Sequence, residues 1–545
     1  MKLLSNYKLA AVMTGCFFAI TVHAQDTTKK QTVEIISAFK PVLKNSVKQN
    51  FNATPPAPDN QSPKLTYDIP MRNLFFNLQP VAIKPLALQI DSTGDARKSN
   101  YVKLGYGNFN TPFAEAGLSL GDGKKTNFNL FADHLSHKGP LRAQRFSTTG
   151  FRAHLNTLVD QVEVYGKLGY QKQVYNLYGP DPALINTKED SLRKPYQSYN
   201  IRVGARNAYV NKYNISYNPD LNITVFNDGR ASESNATLDV PVEVRVSNHF
   251  NFGIRANASL TTFKPTGYDS YTNNLFFLNP SLIAKYDKFR AKIGIRPTWD
   301  KGSVNVLPDV LVDFHIKQKE VIAVAGWTGY VQKNNYEYLV SINPWINQPL
   351  TQFNTRISEI YAGLKGTVAE KLNYRVQIGY SEYKNMPLFV NNLQPALFYI
   401  RKEDKMQAIH NQAELGIVVQ DQLTAAIKLD WYNYFNQSTE LQAWHMPPIQ
   451  LNGSVKWRPS EKFLIHSDLF AWQGPLYLKD NAGTQDRLKA VFDLNAGAEF
   501  TVAKNVGVWL QVNNIFNNSY QRWNNYQQLG FQFLGGIKLT FAQNQ

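Results

Sequence analysis

From Asn100 onward the chain alternates apolar and polar residues in short runs of period two. Val102, Leu104 and Tyr106 oppose Tyr101, Lys103 and Gly105. Phe250, Phe252, Ile254, Ala256 and Ala258 oppose Asn251, Gly253, Arg255, Asn257 and Ser259. The same pattern runs through Phe289–Arg296, Leu423–Tyr432 and Phe492–Phe500. Successive side chains of a strand point to opposite faces, so each run has one apolar and one polar face. A helix would bury the charged members of these runs, and a strand does not.

The connections carry a second regularity. Short polar turns recur at 121–124, 159–160, 211–212, 247–248, 286–288, 317–319, 369–371, 420–422, 459–461 and 503–505, ten in all. Between them lie longer connections rich in Pro, Asn and Tyr, at 175–196, 332–354, 385–403, 437–447, 474–487 and 515–527. Short turns at one rim and long loops at the other are the asymmetry of barrels that cross a membrane with strands. Ten short turns with both termini on the same side predict about 22 strands. The fold class expected is all-β, a transmembrane antiparallel β-barrel over residues 100–541 with a tail at 542–545. A soluble solenoid or propeller is the alternative, but no fixed repeat supports it.

The final run specifies the closing edge. Phe531, Phe533, Ile537, Leu539 and Phe541 alternate with Gln532, Gly536, Lys538 and Thr540. The apolar set would face lipid where the barrel seals. Together with Val512-Asn-Asn-Ile-Phe-Asn-Asn-Ser-Tyr520, this end resembles the last two strands of TonB-dependent receptors. That resemblance implies a bacterial outer-membrane location and a transport role. The run Gln31-Thr-Val-Glu-Ile-Ile-Ser-Ala38 looks like the segment that opens such receptors and carries the TonB box. On that likeness Thr32, Val33, Glu34, Ile35 and Ile36 would meet a TonB-type energiser. The departure is large: those receptors have a plug of well over a hundred residues before the first strand. Here 25–99 is a proline-rich stretch, with eight prolines between Pro41 and Pro85. Proline cannot donate to a ladder, so an extended segment without its own core is expected. The pattern is similar instead to small plug-less TonB-receptor-like barrels of Bacteroidetes, whose first strand resembles Leu104-Gly-Tyr-Gly-Asn-Phe109.

Residues 1–24 read as a signal peptide: Lys2 and Lys8, an apolar Leu9–Val22, and Val22-His23-Ala24 before the cut. Met13-Thr-Gly-Cys16 is a rival lipoprotein box, although the residues after it stay apolar. Cys16 is the one cysteine, so a chain cut after Ala24 has no disulfide and no thiolate chemistry. The formal charge is +17, and loss of the two lysines leaves +15. Export removes nucleic acid as a partner and leaves outer-membrane lipid, an anionic permeant, or other outer-membrane and periplasmic proteins. Mean hydropathy is −0.36. That value is blind to barrels, whose strands are half polar.

Arg202, Arg206, Arg255, Arg290, Lys292 and Arg296 fall on polar faces of neighbouring predicted strands, with no carboxylate seen on those faces. A cationic wall of this kind would concentrate anions. The alternative is a set of lumenal ladders that hydrogen-bond across strands or hold an internal segment. No catalytic, cofactor or metal site stands out. Asp133 and His134 are adjacent and so point apart; His134 and His137 lack a third ligand; His466 and Asp468 share a face without a serine. Two functions follow: a TonB-receptor-like pore or transporter for a polar solute, anionic on the first reading of the wall; or a non-conducting structural or assembly subunit. A wide barrel without a plug must be filled, and residues 25–99 together with inward-folded loops are expected to do it.

Overall fold

The computed structural model describes residues 100–541, apart from 122–124, 180–188, 210, 318, 392–396, 420–421 and 481–482. The signal peptide, the segment 25–99 with Thr32–Ile36, and the tail 542–545 lie outside the described residues. Within them the chain forms one closed antiparallel barrel of 22 strands. Two of the barrel strands are each built from two segments. Ile215–Tyr217 and Asp220–Asn227 both pair with Ser232–Arg245. Their break is at Asn218-Pro219, where proline offers no N–H to the ladder. Tyr271–Thr272 likewise continues the strand Leu275–Tyr286 along Phe250–Lys264.

The barrel closes between Asn100–Gly107 and Gln532–Phe541, in a register running from Asn100 opposite Phe541 to Gly107 opposite Leu534. Alternation sets the two surfaces. Phe252 is 44% exposed while its neighbour Asn251 is 8% exposed. Ile293, Ile295, Trp327, Ile360, Ile378, Trp431 and Leu510 continue the outward apolar band around the wall. On the closing strand Phe531, Phe533, Ile537 and Phe541 are exposed, Leu539 is partly exposed, and Leu534 is turned inward and buried. A fold that leaves this many large apolar side chains outside is built for lipid.

Glycines on the inner face let aromatic rings lie flat across neighbouring strands. A Cβ on Gly105 would stand 2.3 Å from the Trp509 ring. One on Gly204 would stand 2.4 Å from the Tyr165 ring. Trp509 thus covers the closing seam, where Gly105 faces Gly536, and its Nε1 donates to the Leu104 carbonyl at 3.2 Å. Lys103 lies 4.5 Å from the same ring.

The expected connection at 385–403 is corrected. Leu372–Asn391 and Phe398–Val419 are strands of 20 and 22 residues that pair through Met386–Glu403 and Leu388–Arg401. That is twice the ~10 residues needed to cross a bilayer. Leu388 and Val390 are buried against Trp444, which holds the extension together where periodicity alone is weak.

Candidate functional site

The principal core of the protein lies at the long-loop mouth and not in the wall. Its strand residues are Tyr196, Phe226, Phe263, Phe389 and Phe398. Its loop residues are Tyr336, Leu339, Val340, Trp345 and Ile346 from 333–354, and Trp523 and Tyr526 from 514–531. These two connections therefore fold inward and meet: Trp345 stacks on Tyr526 with centroids 4.0 Å apart. We call this assembly the lid.

The local sequence explains the first connection. Asn335 caps a helix over Tyr336–Ile342, its side chain accepting from the Tyr338 N–H. Tyr336, Leu339 and Val340 share one helical face by their i, i+3, i+4 spacing, and that face is the buried one. Asn343 is extended and ends the helix before Pro344, as the steric demand of a following proline requires.

Hydrogen bonds pin this helix to the barrel over a wide arc. The buried carboxylate of Glu233 accepts from the N–H groups of Tyr336 at 2.6 Å and Glu337 at 3.2 Å. It also accepts from Gln352 Nε2 at 2.7 Å, so one side chain holds both ends of the connection. Free N–H groups and the positive end of the helix dipole favour a carboxylate there. Tyr196 and Lys194 donate to the carbonyls of Pro344 and Ile346. Trp345 Nε1 donates to the Asn176 carbonyl, and the Asn347 N–H to that of Phe398. Lys333 Nζ donates to the carbonyl and hydroxyl of Ser259 at 2.8 and 2.7 Å, and burial pushes its pKa down to about 8. Burial also pushes the Glu337 carboxyl up; it accepts from Ser198 Oγ.

A third connection, 436–448, joins the lid through His445. Its ring stacks on Trp523, its Nδ1–H donates to the Phe389 carbonyl at 2.8 Å, and its own carbonyl accepts from Arg522 Nη1. Burial pushes the His445 pKa down to about 3.

Below the lid the lumen is lined with paired charges, which corrects the expectation of a bare cationic wall. Arg202 makes a bidentate pair with Asp220 at 2.7 and 3.0 Å, and Arg206 another with Glu163 at 2.7 and 2.8 Å. Arg255 pairs with Asp239, and Lys292 with Asp309, which also lies 3.8 Å from Arg296. Arg290 alone of the six has no ion pair among the described residues; Asp313 opposite it is taken by Lys365. The carboxylates were missed because they lie on the adjoining strands, in cross-strand register, where a scan of one strand at a time does not find them. Six cations thus face four carboxylates.

The residues tested for enzyme-like chemistry are engaged elsewhere. Asp133 accepts from Arg152, His134 Nδ1 bonds Thr149 Oγ1, and His466 lies over Gly497. Among the described residues no cluster of three or more His, Cys, Asp or Glu side chains could hold a metal ion. Sequence scanning also missed the lid residues. The signal was there in the Asn335 cap, the 336/339/340 spacing and the aromatics Trp345, Trp523 and Tyr526 set in otherwise polar loops.

No protein-family model matches the chain, and no curated protein matches it in sequence. Solved structures do match in shape. The siderophore receptor PirA from Acinetobacter baumannii gives a TM-score of 0.62 at 8% identity, over 81% of this chain and 80% of that one. An FrpB iron transporter from Neisseria meningitidis gives 0.64 at 11% identity, over 82% and 83%. The fold is that of TonB-dependent receptor barrels. The ferripyoverdine receptor of the outer membrane of Pseudomonas aeruginosa gives 0.60 at 11% identity, over 82% and 72%. At such identities the likeness to these receptor barrels is one of fold, and side-chain roles must come from this chain's own geometry.

Proposed function

We propose that the protein is an outer-membrane transporter for a polar solute whose outer mouth is gated by its own lid. The observation that carries this reading is the core at the mouth. Apolar side chains from two connections are spent on closing a lumen whose walls are polar and ion-paired. The paired wall supports passage of a polar solute and removes the original ground for an anionic one, since most of its cations are already neutralised. Residues 25–99 are proposed as a second occluding element, on their proline-rich composition, and Thr32–Ile36 as the contact for a TonB-type energiser.

The test is conductance in planar bilayers. Replacing 335–353 with a short Gly/Ser linker should raise single-channel conductance in an assembled barrel, and deleting 25–99 as well should raise it further. A lid-deleted, correctly assembled barrel that stays shut even without 25–99 would refute gating. It would move the second reading ahead, a non-conducting structural or assembly subunit, which the tightly bonded lid also fits.

A further inference from the structure

We propose that Arg522 is the residue by which the lid recognises an anionic group, a carboxylate or a phosphate, on the transported solute. This rests on the gated-transporter reading above.

Arg522 lies in the connection 514–531 and is only 9% exposed. Among the described residues its guanidinium makes one hydrogen bond, from Nη1 to the His445 carbonyl at 2.8 Å. Among the described residues no carboxylate comes within ion-pair distance of it, in contrast to Arg202, Arg206, Arg255 and Arg296. The ring of its neighbour Trp523 lies 4.6 Å from the guanidinium carbon. Tyr434, a lumen-side ring of the strand Leu423–Phe435, is close enough to interact with it electrostatically.

A buried cation without a counter-ion is costly, and arginine cannot escape by giving up its proton. The guanidinium has five N–H donors in a planar fork, a match for two oxygens of one carboxylate or phosphate. A second observation concerns its hydrogen-bond partner, His445. His445 donates from Nδ1 to a carbonyl, so its Nε2 is an acceptor, and that atom is buried with no hydrogen-bond partner. A hydroxyl or N–H next to the anionic group would satisfy it. Arg522 and His445 join the connections 514–531 and 436–448, so an anion held there stabilises the closed lid by linkage.

The experiment uses the full-length protein in nanodiscs, with Val340→Cys as a lid reporter. Labelling by a bulky membrane-impermeant maleimide is followed in sodium phosphate, sodium acetate or sodium chloride at matched ionic strength. We expect phosphate or acetate to slow labelling saturably relative to chloride, and the stronger of the two names the group. Arg522→Met should abolish that response and lower labelling in chloride, because the uncompensated charge is gone. Arg522→Lys, which keeps the charge but not the fork, should weaken the response about tenfold or more. Absence of a saturable anion effect in the wild-type chain, or its persistence in Arg522→Met, would overturn the proposal. So would faster labelling of Arg522→Met in chloride, which would make the guanidinium a structural tie. None of these outcomes depends on whether the lid-deleted barrel conducts, so the two readings fail separately.

Discussion

Glu233 offers the sharpest test of the lid. Its carboxylate is 1% exposed and accepts from two helix N–H groups and from Gln352. Glu233→Gln keeps the shape but replaces one oxygen with an NH₂ group. That group cannot accept, so either the Tyr336 or the Glu337 N–H loses its partner, and the remaining bonds lose their ionic character. A buried donor left unpaired costs roughly 1–3 kcal/mol. Taking about 2 kcal/mol, the closed-to-open ratio of the lid falls about 30-fold. The wall should be indifferent, because Glu233 sits at the loop end of Ser232–Arg245, opposite Phe263, and the backbone pairing of that strand with Phe250–Lys264 is untouched. The assay is the labelling rate of Val340→Cys, a side chain 5% exposed in the closed lid. Cys16 is the sole native cysteine and falls within the expected signal peptide, so the reporter has no competitor in the processed chain. Where reclosing outpaces labelling, the rate follows the open population. An unchanged rate in Glu233→Gln would refute the pinning role. Loss of the heat-modifiable barrel itself would show that the carboxylate supports the wall instead.

Acid should open the lid through His445. Its pKa is about 3 when closed, and an exposed imidazole titrates near 6.5, so the closed state binds fewer protons. Closure is at full strength above about pH 6.5 and weakens as pH falls, by about 2 kcal/mol or 30-fold at pH 5. Glu337, raised by burial, acts in the opposite sense, so the check is the difference between wild type and His445→Gln; identical pH profiles would remove His445 as the cause. On the closing strand Ile537 lies at the middle of Gln532–Phe541, whereas the Phe533 N–H is bonded to Asn108 in the outer turn. Ile537→Arg should therefore cost about 2–4 kcal/mol in a refolding titration and Phe531→Arg about 0–1, and equal costs would contradict the membrane placement. Gly105→Val should displace Trp509 from the seam at a cost of about 1–3 kcal/mol, read as a drop in the unfolding midpoint with a change in tryptophan emission.

The barrel was legible in the sequence because its code is local. A strand facing lipid on one side and water on the other must alternate, and runs such as Phe250–Ser259 state which face is which without reference to any partner. The same logic located the short turns that fall within the described residues and the closing edge at Phe531–Phe541. What needed the tertiary structure is whatever depends on residues far apart in the chain. The carboxylates that neutralise Arg202, Arg206 and Arg255 come from adjoining strands, up to 43 positions away in the case of Glu163. The lid joins Glu233 to Tyr336 across 103 positions and His445 to Arg522 across 77. Its helix is too short to stand alone, and Trp345 and Tyr526 read as stray aromatics in loops until closure of the barrel brings their connections over one mouth. Periodicity reports the solvent on each side of a strand; only closure of the sheet decides which loops share an opening and which charges share a wall.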